Sequence, residues 1–329
     1  MIVGILGATG AVGREMIRIL EERDFPVSEL RPLASARSAG KTLAFHGDQV
    51  TVREATDDAF SGLDLVLGAA ENEIAKRFKD SIVRSGAVFV DNSSAFRMDP
   101  DVPLVVPEIN PGDAKLHHGV ISNPNCSTII TAVGVNALNS LSPITEMIVS
   151  TYQASSGAGQ GGPVELLEET KAYFSGETVT PKVFRYPLAF NLIPEIGSQS
   201  TDDYTTEEMK LQNEGRKIMH LPEMNVTCTC VRVPVIRSHS ISATVRMKDP
   251  VSPEEAREVI AKAPGVTLVD DLPNHRYPMP LDTSDQDLVF VGRIRKDLTS
   301  DRGLSMFIAG DQLRKGAATN AVQIAELLL

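Results

Sequence analysis

Gly4-Ile5-Leu6-Gly7-Ala8-Thr9-Gly10-Ala11-Val12-Gly13 decides how the first third of the chain folds. Ile2–Leu6 is a short apolar run ending in glycine, which reads as a strand. Val12, Met16, Ile19 and Leu20 then recur at i, i+4, i+7 and i+8, one face of a helix that stops near Asp24-Phe25-Pro26. Gly7, Gly10 and Gly13 therefore sit where a strand hands over to a helix. There, backbone N–H groups and the helix N-terminus can receive a pyrophosphate. The spacing is G-x-x-G-x-x-G rather than the commoner G-x-G-x-x-G, and a tight turn without a ligand is the plain alternative. The strand before it and the helix after it favour dinucleotide binding, with Gly7, Thr9, Gly10, Ala11 and Val12 as candidate contacts.

The end of the next strand separates the two nicotinamide cofactors. An NAD site usually carries Asp or Glu there for the ribose 2′-hydroxyl. Here the chain reads Leu33-Ala34-Ser35-Ala36-Arg37-Ser38, with no acid and one arginine. A carboxylate would repel a 2′-phosphate and Arg37 can pair with it, so Arg37 and Ser38 point to NADP. An ordinary surface arginine is the bland alternative.

Outward from this turn, Leu30–Ala34, Leu63–Ala69, Ala87–Asp91, Leu104–Val106 and Val120–Ser122 are further strands. Ile74, Phe78, Ile82 and Val83 form a helical stripe between two of them. Apolar strands alternating with helices predict a parallel sheet covered on both faces, an α/β arrangement. From about residue 144 the texture changes. Ile144–Gln153, Val226–Val233, Ser240–Met247, Leu288–Lys296 and Leu304–Ala309 alternate with period two, between helices such as Val164–Phe174 and Glu207–Met219. That predicts an α+β domain with a mostly antiparallel sheet. Long loops rich in Pro, Ser and Asp lie around 194–204 and 273–287. Ala318, Val322, Ala325 and Leu329 mark a closing amphipathic helix.

The chain has 329 residues, which suggests two domains. It holds 32 Lys and Arg against 43 Asp and Glu, a net charge of −11. That surplus of acid argues against nucleic acid or an anionic membrane as partner. It leaves room for a small anionic ligand. No apolar run approaches the ~20 residues that span a bilayer, and the first residues lack the basic start of a signal peptide. Three cysteines are too few, and odd in number, for a disulfide framework, so a reducing cytoplasm is the expectation. No metal-ligand spacing stands out, and no metal is expected.

Cys126 follows a strand, in Ser122-Asn123-Pro124-Asn125-Cys126-Ser127-Thr128, and opens the helical run Ile129–Leu138. A helix N-terminus favours thiolate over thiol and offers free N–H groups to a developing oxyanion. The bland reading, a small buried hydrophobe, suits Cys228 and Cys230, which alternate within one strand. Of the six histidines, His46 and His220 lie near turns and His117 and His118 in a polar loop. His239 follows a long strand and is the candidate base, but it lies far from Cys126 in sequence.

These stretches resemble the aspartate-β-semialdehyde dehydrogenase family over essentially the whole chain. Besides the glycine turn, the resemblance is carried by Asp91-Asn92-Ser93-Ser94-Ala95-Phe96-Arg97, Asn123–Thr128, and Thr151-Tyr152-Gln153-Ala154-Ser155-Ser156-Gly157-Ala158-Gly159. Glu207-Glu208-Met209-Lys210 and Val231-Arg232-Val233 through His239 complete it. The absence of long insertions looks most like the shorter bacterial branch. The resemblance implies a Rossmann-type NADP domain, residues 1–125 and 311–329, around a catalytic and dimerisation domain, 126–310, in a cytoplasmic homodimer. It implies reversible conversion of aspartate 4-semialdehyde and phosphate to 4-aspartyl phosphate, in lysine (through diaminopimelate), threonine and methionine biosynthesis. Cys126 is then the acyl-thioester nucleophile, His239 the general acid/base, and Gln153 a positioning group. Arg232 would bind the substrate carboxylate, Glu207 its amine, and Arg97 and Lys210 the phosphate, with Asn125 beside them. Ser156, Gly157 and Gln312 would approach the cofactor. Two rivals share parts of this pattern: an N-acetylglutamyl-phosphate reductase, and a dinucleotide sensor without turnover.

Overall fold

Strands apolar on both faces need cover on both sides, and the first unit of the computed structural model is built on such strands. The model describes residues 1–329 and divides into Met1–Asn125 with Ala317–Leu329, and Cys126–Gly316. In the first unit, β1 (Ile2–Leu6), β2 (Glu29–Ala34), β5 (Arg53–Glu54), β6 (Leu65–Gly68), β7 (Val88–Asp91) and β8 (Val120–Ser122) form one sheet. Their order is β5-β2-β1-β6-β7-β8 and every pairing is parallel. Helix α1 (Ala11–Glu22) buries Met16, Ile19 and Leu20 against one face, together with Ala321, Val322 and Ala325 of the last helix, α8 (Thr319–Glu326). Helix α2 (Asn72–Arg84) covers the other face with Ala75, Phe78 and Ile82, against Leu33, Val66 and Phe89. The doubly wound α/β sheet is thus as expected.

Three local features differ. The stretch 104–106 makes one bridge, Leu104 to Ser122, and no strand; Pro103 and Pro107 flank it and supply no N–H to a ladder. A hairpin of β3 (Thr42–Phe45) and β4 (Asp48–Thr51) was not anticipated; it turns on His46 and Gly47, both at positive φ. The closing helix is not amphipathic in effect. Its residues 319–322, 324 and 325 are buried, while Leu329, expected on its apolar face, lies beyond the helix end and is exposed. Asn320 explains how a polar side chain survives there: its amide donates to Val105 O at 2.9 Å and Asn123 Oδ1 at 2.6 Å.

The second unit is α+β. Strands β9 (Ile144–Gln153), β10 (Asn225–Arg232), β11 (His239–Met247), β12 (Val266–Leu268), β13 (Val289–Lys296) and β14 (Gly303–Gly310) are ordered β10-β9-β11-β14-β13-β12. The three inner pairings are antiparallel and the two outer ones parallel. Period-two alternation holds in β9, where Met147, Val149, Thr151 and Gln153 are buried while Ile148 and Tyr152 are exposed. Helix α3 (Cys126–Val135) presses on β14: a Cβ on Gly134 would stand 2.9 Å from Ile308, and one on Gly310 3.1 Å from Ile130. Helices α4 (Gly161–Ser175), α5 (Thr206–Met219), α6 (Pro253–Ile260) and α7 (Pro280–Thr283) complete the unit. Capping boxes Thr205/Glu208 and Ser252/Glu255 start α5 and α6.

Residues 311–316, expected with the first unit, pack with the second. Arg237 Nε donates to Asp311 Oδ2 at 2.6 Å and Ser238 N to Gln312 Oε1 at 2.8 Å, which ties this segment to the start of β11. No helix is long and apolar enough to cross a membrane. Replacing Asn320 by Ala takes the donor away from the carbonyl of Val105 and from Asn123 Oδ1. It is expected to lower stability by about 1–3 kcal/mol in urea unfolding, whereas Leu329→Ser leaves the midpoint unchanged.

Candidate active site

The glycine turn works by close approach. Gly7 has φ +87°, and a Cβ there would lie 2.7 Å from the carbonyl of Ala69; one on Gly13 would lie 2.4 Å from Gly7 O. Both positions therefore exclude a side chain, and the turn reaches the end of β6 with its backbone bare. The cleft it opens, about 420 Å³, stands where the strand order reverses between β1 and β6, the crevice in which doubly wound sheets bind nucleotides. Gly7, Thr9 and Gly10 line it, with Ala34, Ser35, Ala36, Ala69, Ala70, Glu71 and Ile74. Ala11 and Val12 begin α1. Arg37 and Ser38 are not on the wall. Hydrogen bonds from Ser38 N and Ala39 N to Ser35 O turn the chain there and leave Arg37 exposed just past Ala36. Glu54, Glu71 and Arg77 do line the cleft, and no reading of the sequence had singled them out.

Elsewhere in this unit Arg97 is buried. Its Nε donates to Asn123 O at 2.9 Å and its Nη2 to Asn92 O at 2.8 Å. Asp91 braces the same loop through Ser93 N and Oγ. Burial raises the Asp91 carboxyl above its ordinary pKa, and its hydrogen bonds from Ser93 oppose that. Asn125 is also buried and ends the unit, immediately before Cys126.

In the second unit the sheet itself gathers the polar groups. Gln153 ends β9 opposite Arg232, which ends β10, and His239 begins β11 on the other side of β9. Three adjacent strands thus present one group each at the same end. Helix α5 adds Glu207, buried, which accepts from Gln153 Nε2 at 3.3 Å and pairs with Lys210 Nζ at 2.8 Å. From sequence alone that pair reads as an exposed i, i+3 bridge worth ~0.2–0.5 kcal/mol. Burial makes it part of the site instead. Cys126 is the first residue of α3 and partly exposed, and a negative charge on its sulfur acts on Arg232, as does that of Glu207. Burial lowers the Arg232 pKa, and Cys126, Glu207 and Cys230 offset part of that.

Ala154 connects the cation to the imidazole. Its carbonyl accepts from Arg232 Nη1 at 2.7 Å and its N–H donates to His239 Nδ1 at 3.1 Å. The neutral ring therefore carries its proton on Nε2, a buried atom with no hydrogen-bond partner in the protein. Burial, reinforced by Arg232, drives the His239 pKa down to about 3. Gly157 closes over both groups, since a Cβ there would fall 2.6 Å from Arg232 Nη1 and 3.1 Å from His239 Cε1. Ser156 Oγ meets Gln312 Nε2, and Gln312 in turn holds Ser238 N. Ser238 has φ 75° and shares a 2.7 Å hydroxyl–hydroxyl hydrogen bond with the buried Thr283. Ala154, Ser238 and Thr283 were not legible as parts of this site. They act through backbone or through a contact between distant segments.

The arrangement supplies a thiol at a helix start, a buried hydrogen-bond donor, a fixed guanidinium and a buried carboxylate with an ammonium beside it. Residues 2–117 match the family model "Semialdehyde dehydrogenase, NAD binding domain", and residues 135–315 match "Semialdehyde dehydrogenase, dimerisation domain". The chain belongs to the semialdehyde dehydrogenase family. It is 49% identical over 327 residues to the aspartate-semialdehyde dehydrogenase of Synechocystis sp., covering 99% of this chain and 97% of that one. A crystal structure of aspartate semialdehyde dehydrogenase II from Vibrio cholerae, complexed with ASA, superposes with TM-score 0.96 at 40% identity, covering 99% and 97%. The Candida albicans enzyme with NADP superposes with TM-score 0.74 at 25% identity, covering 99% and 97%.

In this semialdehyde dehydrogenase, Cys228 and Cys230 sit in surroundings unlike those of Cys126. Both are buried with sulfurs 3.7 Å apart, and their mutual hydrogen bond together with burial pushes the Cys228 thiol far up. His239 should also mark acid stability. Its folded pKa is depressed, so below the ordinary histidine value near 6.5 the unfolded chain takes up a proton that the folded chain refuses. Stability is then lost as pH falls from about 6.5 toward 3, with a slope approaching 1.4 kcal/mol per pH unit from this group. Urea titrations at pH 7, 6, 5 and 4 are expected to show a shallower loss for His239→Gln than for the native chain.

Proposed function

We propose that the protein catalyses the NADP-dependent, reversible conversion of L-aspartate 4-semialdehyde and phosphate to 4-aspartyl phosphate, as a cytoplasmic homodimer in aspartate-family amino-acid biosynthesis. The observation that carries this reading is the conjunction of Arg232, Glu207 and Cys126 in one unit. A buried cation suits the substrate α-carboxylate, a buried anion its α-ammonium, and the thiol reacts with a carbon of the acyl or aldehyde type. Glu207 favours a free amine over the amide of an N-acetylated glutamyl substrate, which has no charge for it to meet. The matched model's name, a dimerisation domain, supports the homodimer.

In the oxidising direction Cys126 Sγ adds to the aldehyde carbon. The helix start of α3 stabilises the sulfur as thiolate, and its N–H groups face the oxygen anion that develops. Gly7, Thr9, Gly10, Ala11 and Val12 would hold NADP, with Arg37 and Ser38 beside them and Ser156, Gly157 and Gln312 toward its reacting end, and the cofactor would supply a hydride acceptor. The bare backbone at Gly7 and Gly13 fits a pyrophosphate there. Arg97, Lys210 and Asn125 place phosphate to displace Cys126 from the thioester, which frees the thiolate again. Gln153, tied to Glu207, positions the substrate. His239 serves as Nε2–H donor to the reacting oxygen or sulfur. To act as the base at Nε2 it must first release the N–H of Ala154 from Nδ1.

The test is formation of NADPH from aspartate 4-semialdehyde, with and without inorganic phosphate. Phosphate dependence is expected, with a fall of about a thousandfold or more in Cys126→Ser. Full activity in that variant would overturn the covalent route, and no NADPH under any condition would favour a dinucleotide sensor. Arg37→Ala is expected to raise KM for NADP and to leave that for NAD unchanged.

A further inference from the structure

Residues 176–200, which follow α4, form no helix and no strand, only isolated bridges. A segment of this kind must find partners for its backbone outside any ladder. Two glutamates at i, i+4 on α4 supply them. Glu165 Oε2 accepts from the N–H of Lys182 at 2.6 Å and of Val183 at 2.7 Å, and its Oε1 from that of Phe184 at 3.0 Å. Glu169 Oε2 accepts from Leu188 N at 2.7 Å and Ala189 N at 2.9 Å. Both side chains are buried, which is costly for a carboxylate unless its hydrogen bonds are made, and here those bonds go to the loop. Glu169 keeps its place although Oε1 is buried without a partner. The loop's other polar tie, Arg185 to Glu195 at 3.0 Å, is exposed and worth little.

What the glutamates hold is a wall beside Arg232. The Phe184 ring lies on Gly162, where a Cβ would stand 3.3 Å from Cζ, and 5.8 Å from the Arg232 guanidinium. Leu188 and Ile193 close on Leu166 of α4 in a small core that Phe184 joins. Ile193 also pairs with Arg232 through two backbone bonds, at 3.0 and 2.9 Å. A cavity of about 200 Å³ is lined by Arg232, Phe184, Ala158, Ile193 and Gly197. The Ala154 carbonyl anchors Nη1 of Arg232, which leaves rotation about that anchor for the Phe184 ring to restrain. Orientation matters, because a guanidinium meets a carboxylate through two parallel, directional bonds. We infer that Phe184 orients Arg232 for the substrate carboxylate, and that Glu165 and Glu169 are positioning residues that hold Phe184 in place. The orienting role rests on the part proposed for Arg232 above; the hold on the loop does not.

Hydrogen exchange resolved to single amides tests the hold without any substrate. The native chain is expected to protect the amides of 182–184, 188 and 189. Glu165→Ala should speed exchange at 182–184 about tenfold or more, and Glu169→Ala at 188 and 189. Native exchange there as fast as in an unstructured peptide overturns the hold. Kinetics test the orienting role. Phe184→Ala and Glu165→Ala are each expected to raise KM for aspartate 4-semialdehyde about tenfold, with kcat and the KM for NADP and phosphate within about twofold. Phe184→Leu should give a smaller rise. Glu165→Gln, whose amide oxygen can keep the two bonds made by Oε2, should fall between Glu165→Ala and the native chain. For 3-aminopropanal, the same aldehyde without the α-carboxylate, kcat/KM should be equal in the native and Phe184→Ala proteins. An unchanged KM in Phe184→Ala, an equal loss for both aldehydes, or a matching loss toward NADP overturns the orienting role. No NADPH from either aldehyde with the native protein overturns the reaction itself and the orienting role with it, while the exchange result decides the hold on its own.

Discussion

A guanidinium keeps its proton inside a protein, so burying Arg232 obliges the chain around it to supply acceptors. The carbonyl of Ala154 is that acceptor, and its position dictates much else. The N–H of the same residue is thereby aimed at His239, which fixes which ring nitrogen bears the proton. The segment 154–158 can lie this close only because Gly157 has no side chain. Phe184 lies 5.8 Å from the guanidinium, and Glu207 supplies a compensating negative charge. One cation at the end of one strand thus orders a histidine, a glutamate and a loop.

Much of the fold was legible because its signals are local. The glycines at 7, 10 and 13, the stripe from Val12 to Leu20 and the alternation from Ile144 to Gln153 each report one element through its own period. The parts that were misread depend on neighbours. Residues 104–106 are apolar enough for a strand, but prolines on both sides leave a single bridge. The C-terminal segment carries the spacing of an amphipathic helix, yet it is buried nearly all round because both its polar Asn320 and its apolar residues find partners in the first unit. Periodicity states which side of an element is apolar. It is silent on how many sides the fold will cover.

The site divides in the same way. Cys126 was readable because a helix start changes a thiol's chemistry whatever lies around it. Glu207 and Lys210 were not, since the residues alone describe an ordinary exposed pair; only the packing of α5 beside β10 buries the carboxylate and gives it Gln153. The resemblance to a known family named them, and the packing supplies the physical reason. Thr283 belongs to no motif, and Ser238 lies within the stretch 231–239 without a role of its own there. Their hydroxyl contact joins segments 45 residues apart and exists only in the folded chain.

The three cysteines show how far environment, rather than residue type, sets reactivity. Cys228 and Cys230 lie on one strand at i, i+2, so both side chains enter the same apolar layer and each crowds the other. The hydrogen bond to Cys230 and burial together push the Cys228 thiol far above its ordinary pKa, which keeps it protonated. Cys126 has the opposite surroundings: the N-terminal end of α3, partial exposure, and the field of Arg232. Burial does most to keep His239 neutral, and the guanidinium that reinforces it also favours a negative sulfur at Cys126. The same positive charge thus opposes a proton on the base and favours the loss of one from the acid.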